Sequence, residues 1–310
     1  MGKAYTNTLQ RKELESLKLL TMQKGTEYGL GVLMEQGILD VERAAAYFSQ
    51  TVPCTMDALI KSGANGCAAL ANLVAQAETA KESSLFLPEK SILYGPCVTN
   101  PEKILCVGLN YRRHAVETNL PIPTSPVLFS KFNNSLAAHQ QTIRLLPSAE
   151  KIDYEVELVI VIGKTAKNVA ESEALSYVFG YATGNDLSAR DLQFKNSQWL
   201  LGKTCDGFAP VGPYLVTVDE VADPNQLHLE CRVNGEIRQS SNTKDMIFTC
   251  AGLISYISQY MTLKPGDLIF TGTPEGVIVG YPQEKQVWLK AGDEVVTSVE
   301  GLGELRVLLA

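Results

Sequence analysis

Apolar and polar positions follow different periods along the chain. Over residues 17–42, short apolar runs are separated by glycines, which is typical of small antiparallel strands with tight turns. Apolar residues then recur at helical spacing near residues 41–48 and over residues 66–81. Residues 85–100 bring prolines and glycines close together and predict a linker. We therefore expect a small N-terminal α+β domain over residues 17–95, preceded by a disordered extension over residues 1–16.

After residue 103 the pattern becomes mainly strand-like. KILCVGLNY, YEVELVIVIG and YVFGYATGND predict buried strands, and later runs are short and separated by Gly, Pro or Asn. The Asn234-Gly235 step between two alternating runs predicts a β-hairpin. Helices are predicted at residues 171–176 and 246–261. Because strands do not alternate regularly with long helices, the fold class is α+β and mainly β, with a mixed domain over residues 100–310.

Composition narrows the class of protein and its partners. The 310 residues are 45% hydrophobic and 20% charged, which is ordinary for a globular protein. A net charge of −7 with scattered basic residues argues against nucleic acid. We find no run suited to a membrane span and no secretory signal. The seven cysteines form no CxxC pair, and six of them sit beside apolar or small residues, which predicts small core residues of a reduced protein, so we expect a cytoplasmic location.

Carboxylates recur where two of the predicted strands begin and end. Asp153, Glu155 and Glu157 alternate and so share one strand face, and Asp186 ends the strand that follows. An all-oxygen set without histidine or cysteine suits Mg²⁺, Mn²⁺ or Ca²⁺ rather than zinc. The alternative is a solvated sheet face, which is common for an isolated ExE pattern.

Three further segments could carry chemistry beside such a site. His114 and Glu117 share a face if the chain is helical after Tyr111, and a carboxylate would fix the imidazole tautomer; an ordinary exposed pair is the alternative. Lys203 could stabilise an anionic enolate, although most lysines are surface residues. Thr273 stands in a Gly-Thr-Pro turn whose N–H groups and hydroxyl could hold a carboxylate, or which could be a plain turn.

Together these motifs resemble the fumarylacetoacetate hydrolase superfamily. The matching strings are G-x-N-Y-x-x-H-x-x-E (residues 108–117), D-Y-E-x-E-L (153–158), N-D-x-S-A-R-D-x-Q (185–193), G-K (202–203) and G-T-P-x-G-V (272–277). The order and spacing agree over about two-thirds of the chain. Within the family, the chain looks like the bacterial acylpyruvases and 2-hydroxyhepta-2,4-diene-1,7-dioate isomerases.

The resemblance implies a β-roll catalytic domain, a homodimer and a role for each motif residue. Mg²⁺ or Mn²⁺, with Ca²⁺ a further candidate in crystals, would be held by Glu155, Glu157 and Asp186. His114 and Glu117 would activate water on a segment that closes as a lid. The remaining residues implied at the site are Lys203 as a catalytic group, Gln193 and Thr273 as substrate contacts, Lys131 at the pocket rim, and Arg190 as a partner of Asp191 or Asp186.

The implied reaction is metal-dependent hydrolysis of a C–C bond in a small acylpyruvate-like 2,4-dioxo acid, through an enolate that the metal stabilises. Oxaloacetate decarboxylation and the isomerisation or tautomerisation of a 2-oxo acid pass through a related enolate and remain alternatives. A metal-binding protein without activity, used as a scaffold, is the alternative from another class. The residues do not choose the substrate, which we expect to depend on residues 118–126 and 277–286.

Overall fold

The strands predicted near the start of the chain are present and lead into two helices. The computed structural model describes residues 17–119 and 121–310, so the extension predicted over residues 1–16 lies outside the described residues. The elements are β1 (Lys18–Lys24), β2 (Glu27–Met34), β3 (Gly37–Asp40), α1 (Val41–Tyr47), α2 (Met56–Ala80) and β4 (Phe86–Leu87). Helix α2 begins well before the predicted residue 66, because the Thr55 hydroxyl caps it and a bend at Gly63 interrupts the helical pattern.

The segment predicted as a linker, residues 85–100, is part of the folded sheet. Its strand β4 pairs with β3 (Ile38↔Leu87), and Gly95 N donates to Thr21 O at 2.8 Å. Prolines and glycines in this segment suggested a free connection, but its backbone groups are hydrogen-bonded to neighbouring strands. The prediction of a plain linker was therefore wrong.

The rest of the chain is built mostly of short strands. Its first half contains β5 (Ile104–Gly108), α3 (Arg112–Glu117), β6 (Val127–Lys131), β7 (Leu136–Ala137), β8 (Thr142–Ile143), β9 (Ile152–Asp153), β10 (Val156–Ile162), α4 (Glu171–Ala174), β11 (Val178–Asn185), β12 (Ser188–Ala189), α5 (Arg190–Gln193) and α6 (Leu200–Lys203). Its second half contains β13 (Ala209–Pro210), β14 (Leu215–Thr217), β15 (His228–Val233), β16 (Glu236–Asn242), α7 (Cys250–Tyr260), β17 (Leu268–Phe270), β18 (Glu294–Val299) and β19 (Gly303–Leu309).

A ten-stranded sheet runs through both parts of the chain in the order β4-β3-β2-β1-β14-β11-β10-β17-β5-β6. Neighbouring strands are antiparallel except β17 and β5, which are parallel. Strand β1 joins the N-terminal strands to β14 through the pair Leu19↔Leu215. The mainly β, α+β fold class is thus confirmed, whereas the domain boundary near residue 95 stays a prediction, since one sheet crosses it.

The central strand β10 is buried on both faces. Leu158 and Ile160 contribute to one apolar core, and Val159 and Val161 contribute to the core on the other face. This explains why the strand reads as a continuous apolar run rather than an alternating one. The predicted strand is nevertheless broken, because β9 and β10 are separated at residues 154–155.

A second sheet has five strands in the order β16-β15-β18-β19-β8. The predicted hairpin joins β15 to β16, with Asn234 (φ +52°) and Gly235 (φ +83°) in the left-handed conformation that such a turn requires. Two short pairs, β12–β9 and β13–β7, complete the pairing of the described strands. All seven cysteines are free and six are buried, which confirms the prediction that they fill the core.

Candidate metal centre and active site

Three buried carboxylates meet where β10 begins and β11 ends. Each of Glu155, Glu157 and Asp186 offers a carboxylate oxygen within 4.8 Å of the others. The antiparallel register causes this, because β10 starts opposite the last residue of β11 and Asp186 N donates to Glu155 O at 2.9 Å. The strand pairing therefore brings together the ligand set that the sequence predicted.

Asp153 does not join these carboxylates, although simple alternation placed it on their face. Because the strand breaks after Asp153, its fully buried carboxylate turns toward another segment. There it accepts hydrogen bonds from Ile278 N at 2.8 Å and from Val279 N at 3.1 Å. Asp153 thus anchors the loop that closes one side of the site.

Arg190 links Asp153 to the carboxylate cluster. Its Nε lies 2.9 Å from Asp153 Oδ2, its Nη2 lies 2.7 Å from Glu155 Oε1, and its Nη1 donates to Gln193 Oε1 at 2.9 Å. The expected pairing with Asp191 or Asp186 was wrong. Since α5 turns Asp191 away, the Asp191 carboxylate instead accepts a hydrogen bond from Glu150 N at 2.8 Å.

Lys203 lies directly against two of the three carboxylates. Its Nζ is 2.7 Å from Glu155 Oε2 and 2.9 Å from Asp186 Oδ2. Burial lowers the pKa of Lys203, but the charges of Asp186 and Glu155 outweigh it and hold that pKa above its usual value. Burial likewise raises the pKa of Glu155, and Lys203 and Arg190 reverse that effect and hold it below its usual value. Lys203 is therefore a charged member of the site.

Lys131 lies behind the cluster rather than at the rim of the pocket. Its buried Nζ is 2.6 Å from Asp186 Oδ1 and donates to the carbonyl oxygens of Leu187 at 3.1 Å, Phe208 at 2.8 Å and Lys203. The side chain points inward from the last residue of β6, which places it away from the cavity. The predicted contact with substrate is corrected to a contact with Asp186.

Four buried carboxyl groups lie beside three buried cations at this site. Asp153, Glu155, Glu157 and Asp186 face three cations (Arg190, Lys203 and Lys131). Among the described residues no cation pairs with Glu157, which accepts one hydrogen bond, from Gly272 N at 2.7 Å. Burial and the nearby charges of Asp186 and Glu155 raise the pKa of Glu157 well above its usual value.

A divalent metal ion fits this arrangement. Among the described residues, Lys131 Nζ at 2.6 Å is the one partner of Asp186 Oδ1, and because a carboxylate oxygen has two lone pairs it retains capacity for another cation. A further positive charge would also compensate Glu157. The donors are all carboxylate oxygens, the ligands that Mg²⁺, Mn²⁺ and Ca²⁺ prefer.

His114 and Glu117 share a face of α3, as their spacing predicted. His114 is buried and lines the cavity, and its Nδ1 lies 3.3 Å from Glu117 Oε2. Gly276 N donates to both oxygens of the Glu117 carboxylate, at 3.0 and 3.2 Å. The carboxylate is thus held in place, and Nε2 is the imidazole nitrogen left to exchange a proton.

The Thr273 hydroxyl is already engaged inside the protein. It donates to Val156 O at 2.9 Å and accepts from Gln239 Nε2 at 2.9 Å. Thr273 lines the cavity, so its predicted contact with a substrate carboxylate stays a prediction. A hydroxyl has one proton, and donating it to a substrate would require Thr273 to give up its bond to Val156 O.

One cavity connects these groups. Its polar lining includes the predicted residues His114, Glu155, Glu157, Arg190, Gln193, Lys203 and Thr273. Sequence reasoning missed its aromatic wall, in which Phe129 and Trp199 meet edge to face with ring centroids 5.4 Å apart. Gly108 is the sequence signal for this wall, because any other residue there would place its Cβ 2.7 Å from the Trp199 ring.

Known proteins are similar to this chain over most of its length. Residues 103–309 match the family model described as fumarylacetoacetate (FAA) hydrolase C-terminal. A curated relative, oxaloacetate tautomerase Fahd2a, mitochondrial, of Rattus norvegicus, is 42% identical over 280 residues, covering 90% of this chain and 84% of that protein.

Two solved structures are similar as well. Fumarylacetoacetate hydrolase from Exiguobacterium antarcticum has a TM-score of 0.76 and 31% identity, covering 95% of this chain and 99% of that one. Fumarylpyruvate hydrolase from Pseudomonas aeruginosa, in complex with Mn²⁺ and pyruvate, has a TM-score of 0.62 and 33% identity, covering 68% of this chain and 91% of that one.

The expected cytoplasmic location is not upheld. The rat relative is named a mitochondrial protein, and the cysteine content that suggested the cytoplasm reports a reducing environment rather than a compartment. Within residues 17–119 and 121–310, no helix has the length and apolar character needed to cross a membrane. From the family match and these similarities, the chain belongs to the fumarylacetoacetate hydrolase family.

Proposed function

We propose that this protein is a divalent-metal enzyme that interconverts the keto and enol forms of a small 2-oxo acid, with oxaloacetate as the substrate. The observation that carries the proposal is the buried carboxylate cluster, which shares a cavity with His114. Its carboxyl groups, counted with Asp153, outnumber the neighbouring cations by one. The rat relative, whose name is oxaloacetate tautomerase, supplies the choice among enolisable 2-oxo acids.

The metal would be Mg²⁺ or Mn²⁺, held by Glu155, Glu157 and Asp186. When bound, it would act as a Lewis acid that polarises the 2-oxo group and lowers the energy of the enolate. The Pseudomonas relative in complex with Mn²⁺ and pyruvate supports this choice of metal and the class of ligand. Lys203, held against Glu155 and Asp186, adds a fixed positive charge next to the place where negative charge develops.

Tautomerisation moves a proton between a carbon atom and the enol oxygen, so it needs a group that accepts and returns a proton. His114 suits this role, because Glu117, itself held by Gly276 N, would accept a hydrogen bond from Nδ1 and so leave Nε2 to exchange the proton. The aromatic wall of Phe129 and Trp199 excludes water from one side of the cavity, which strengthens electrostatic interactions there.

Hydrolysis of an acylpyruvate is the second candidate. The same His114–Glu117 pair could take a proton from a water molecule, as the sequence analysis expected, and the fumarylpyruvate hydrolase from Pseudomonas is 33% identical. Tautomerisation is the first candidate, because the rat relative is more similar in sequence, at 42% identity over most of both chains. Decarboxylation of oxaloacetate requires no base and would not depend on His114.

The test is to follow three reactions of the Mn²⁺-loaded protein in parallel: ketonisation of enol-oxaloacetate, release of pyruvate from oxaloacetate, and cleavage of an acylpyruvate. We expect ketonisation to be accelerated and His114→Ala to reduce it by about 10²–10⁴-fold. His228→Ala is the control, because His228 is exposed on β15 and does not line the cavity. Acylpyruvate cleavage without ketonisation would favour the hydrolase, and bound metal without turnover would favour the inactive scaffold.

A further inference from the structure

Gln239 is a buried polar side chain that reaches the site from the second sheet. It is 1% exposed and is the one buried residue of strand β16. Cys231 pairs with Gln239 and Arg232 pairs with Ile237, so Arg238 is an extra residue that forms a β-bulge. A bulge bends its strand and re-aims the neighbouring side chains, and here Gln239 points inward.

The Gln239 amide joins two segments that lie far apart in the sequence. Its Oε1 accepts a hydrogen bond from Val156 N at 3.0 Å, between the two glutamates of the cluster. Its Nε2 donates to Thr273 Oγ and to Pro274 O, both at 2.9 Å. Because acceptor and donors are all engaged, the side chain has one orientation that satisfies its buried polar atoms.

The turn that Gln239 holds carries further contacts of the site. Gly272 N donates to Glu157 at 2.7 Å, and Gly276 N donates to Glu117 at 3.0 Å. The turn also rests on the bulge itself, since a Cβ on Gly276 would lie 2.3 Å from Arg238 O. One end of the turn thus positions a metal-ligand carboxylate and the other positions the carboxylate that orients His114.

We propose that Gln239, set by the bulge in β16, is the positioning residue that holds the glutamates of the metal centre and the turn over residues 272–276 in register. Gln239 does not line the cavity, so it acts through Val156 and Thr273. The inference rests on the proposed function only in requiring that the carboxylate cluster binds a divalent metal.

The test compares Gln239→Met with Thr243→Val. Methionine keeps most of the volume but removes both hydrogen-bonding functions. Thr243 follows the same strand, is fully buried and accepts a hydrogen bond from Leu227 N at 2.9 Å, but its side chain forms no hydrogen bond with a described residue of the site. Mn²⁺ affinity is measured by calorimetry without substrate, and thermal unfolding is measured in chelator.

We expect Gln239→Met to weaken Mn²⁺ binding by about 10–100-fold, the usual effect of losing a partner that orients metal ligands. Thr243→Val should lower the unfolding temperature but leave Mn²⁺ affinity within about twofold of wild type, since it only removes a buried hydrogen bond elsewhere. If Gln239→Met does not fold, Gln239→Asn takes its place, because its shorter amide cannot reach both segments and should show an intermediate loss.

Unchanged Mn²⁺ affinity in the folded Gln239 variant would overturn the inference, as would an equal loss in Thr243→Val. Because the measurement uses no substrate, its failure is distinguishable from failure of the proposed function. A wild-type protein that binds Mn²⁺ without turning over any 2-oxo acid would contradict only the proposed function.

Discussion

At the scale of single residues, Glu157 differs from the other carboxylates of the cluster. Glu155 and Asp186 are each paired with a lysine, whereas Glu157 is buried beside them with one backbone N–H as its partner. Its raised pKa means that the fold favours its neutral form in the absence of metal. Metal binding, protonation of the Glu157 carboxyl group and stability of the fold are therefore coupled.

Glu157→Gln should separate these effects. A carboxyl whose pKa is raised on folding stabilises the metal-free protein fully below its ordinary pKa of about 4.3, and this contribution is lost as pH rises through the raised value. Metal-free Glu157→Gln should therefore lose less stability than wild type as pH rises, in denaturant titrations across pH. Its Mn²⁺ affinity should fall by more than the ~10–100-fold typical of an outer partner. Parallel stability curves for the two proteins would contradict the coupling.

Lys131 is a buried ammonium whose partners are one carboxylate and three carbonyl oxygens. Lys131→Met removes the ion pair of Asp186 Oδ1, leaves Lys203 on Oδ2, and should cost about 3–5 kcal/mol in the free energy of unfolding. It should also weaken Mn²⁺ binding, because Asp186 loses its orientation.

Lys103→Met is the matched control for Lys131, and both are compared by urea unfolding and Mn²⁺ calorimetry. Lys103 pairs with the buried Asp267 at 3.1 Å but lies away from the cavity. Equal Mn²⁺ affinities in the two variants would show that Lys131 contributes only to stability.

At the scale of elements, α3 and the turn over residues 272–276 form one functional unit. Besides the bond from Gly276 N to Glu117, Arg113 Nη1 lies 3.3 Å from Glu275 Oε1 across the same interface. The position of the imidazole in α3 therefore depends on the conformation of a turn that follows β17. A lid motion of this segment, which the family resemblance implied, stays a prediction.

Gly276→Ala tests this dependence. Gly276 has φ +100°, and an added Cβ would meet Arg238 O at 2.3 Å, so the turn must shift. Gly292→Ala is the control, because Gly292 has φ +93° and no atom within 4 Å of an added Cβ, and so it shares the backbone strain without the collision. We expect kcat/KM to fall by about 10²-fold in Gly276→Ala only, as for a misplaced catalytic group. Similar kinetics in both variants would contradict the coupling of turn and helix.

At the scale of the whole molecule, the metal should add to the stability of the fold. The ligand carboxylates lie on two paired strands at the centre of the ten-stranded sheet, so an ion that binds there favours the folded state. Mn²⁺ at 100 times its dissociation constant should stabilise the protein by about 2.7 kcal/mol, and chelator should remove the effect. Thermal unfolding measures this, with Glu157→Gln as the control that should respond little. An equal response in that variant would place the stabilising ion elsewhere.

The homodimer stays a prediction.

The sequence by itself determined the features that depend on neighbouring residues. The hairpin at Asn234-Gly235 follows from the left-handed backbone that these residues tolerate, and the pairing of His114 with Glu117 follows from helical spacing. Alternation along one strand and a carboxylate at the end of the next indicated the candidate ligands, and the family resemblance selected Glu155, Glu157 and Asp186 among them. Such patterns are local, so they can be read without knowing the fold.

The tertiary structure alone decided which distant groups meet. It paired Arg190 with Asp153 and Glu155, placed Lys131 behind Asp186, and joined the N-terminal strands to the main sheet through β1 and β14. It also brought Gln239 into contact with Val156. These contacts depend on strand order, on a break after β9 and on a bulge in β16, none of which has a local signal. A side chain's partner across a sheet is set by the register of the strands between them, and that register exists only once the chain has folded.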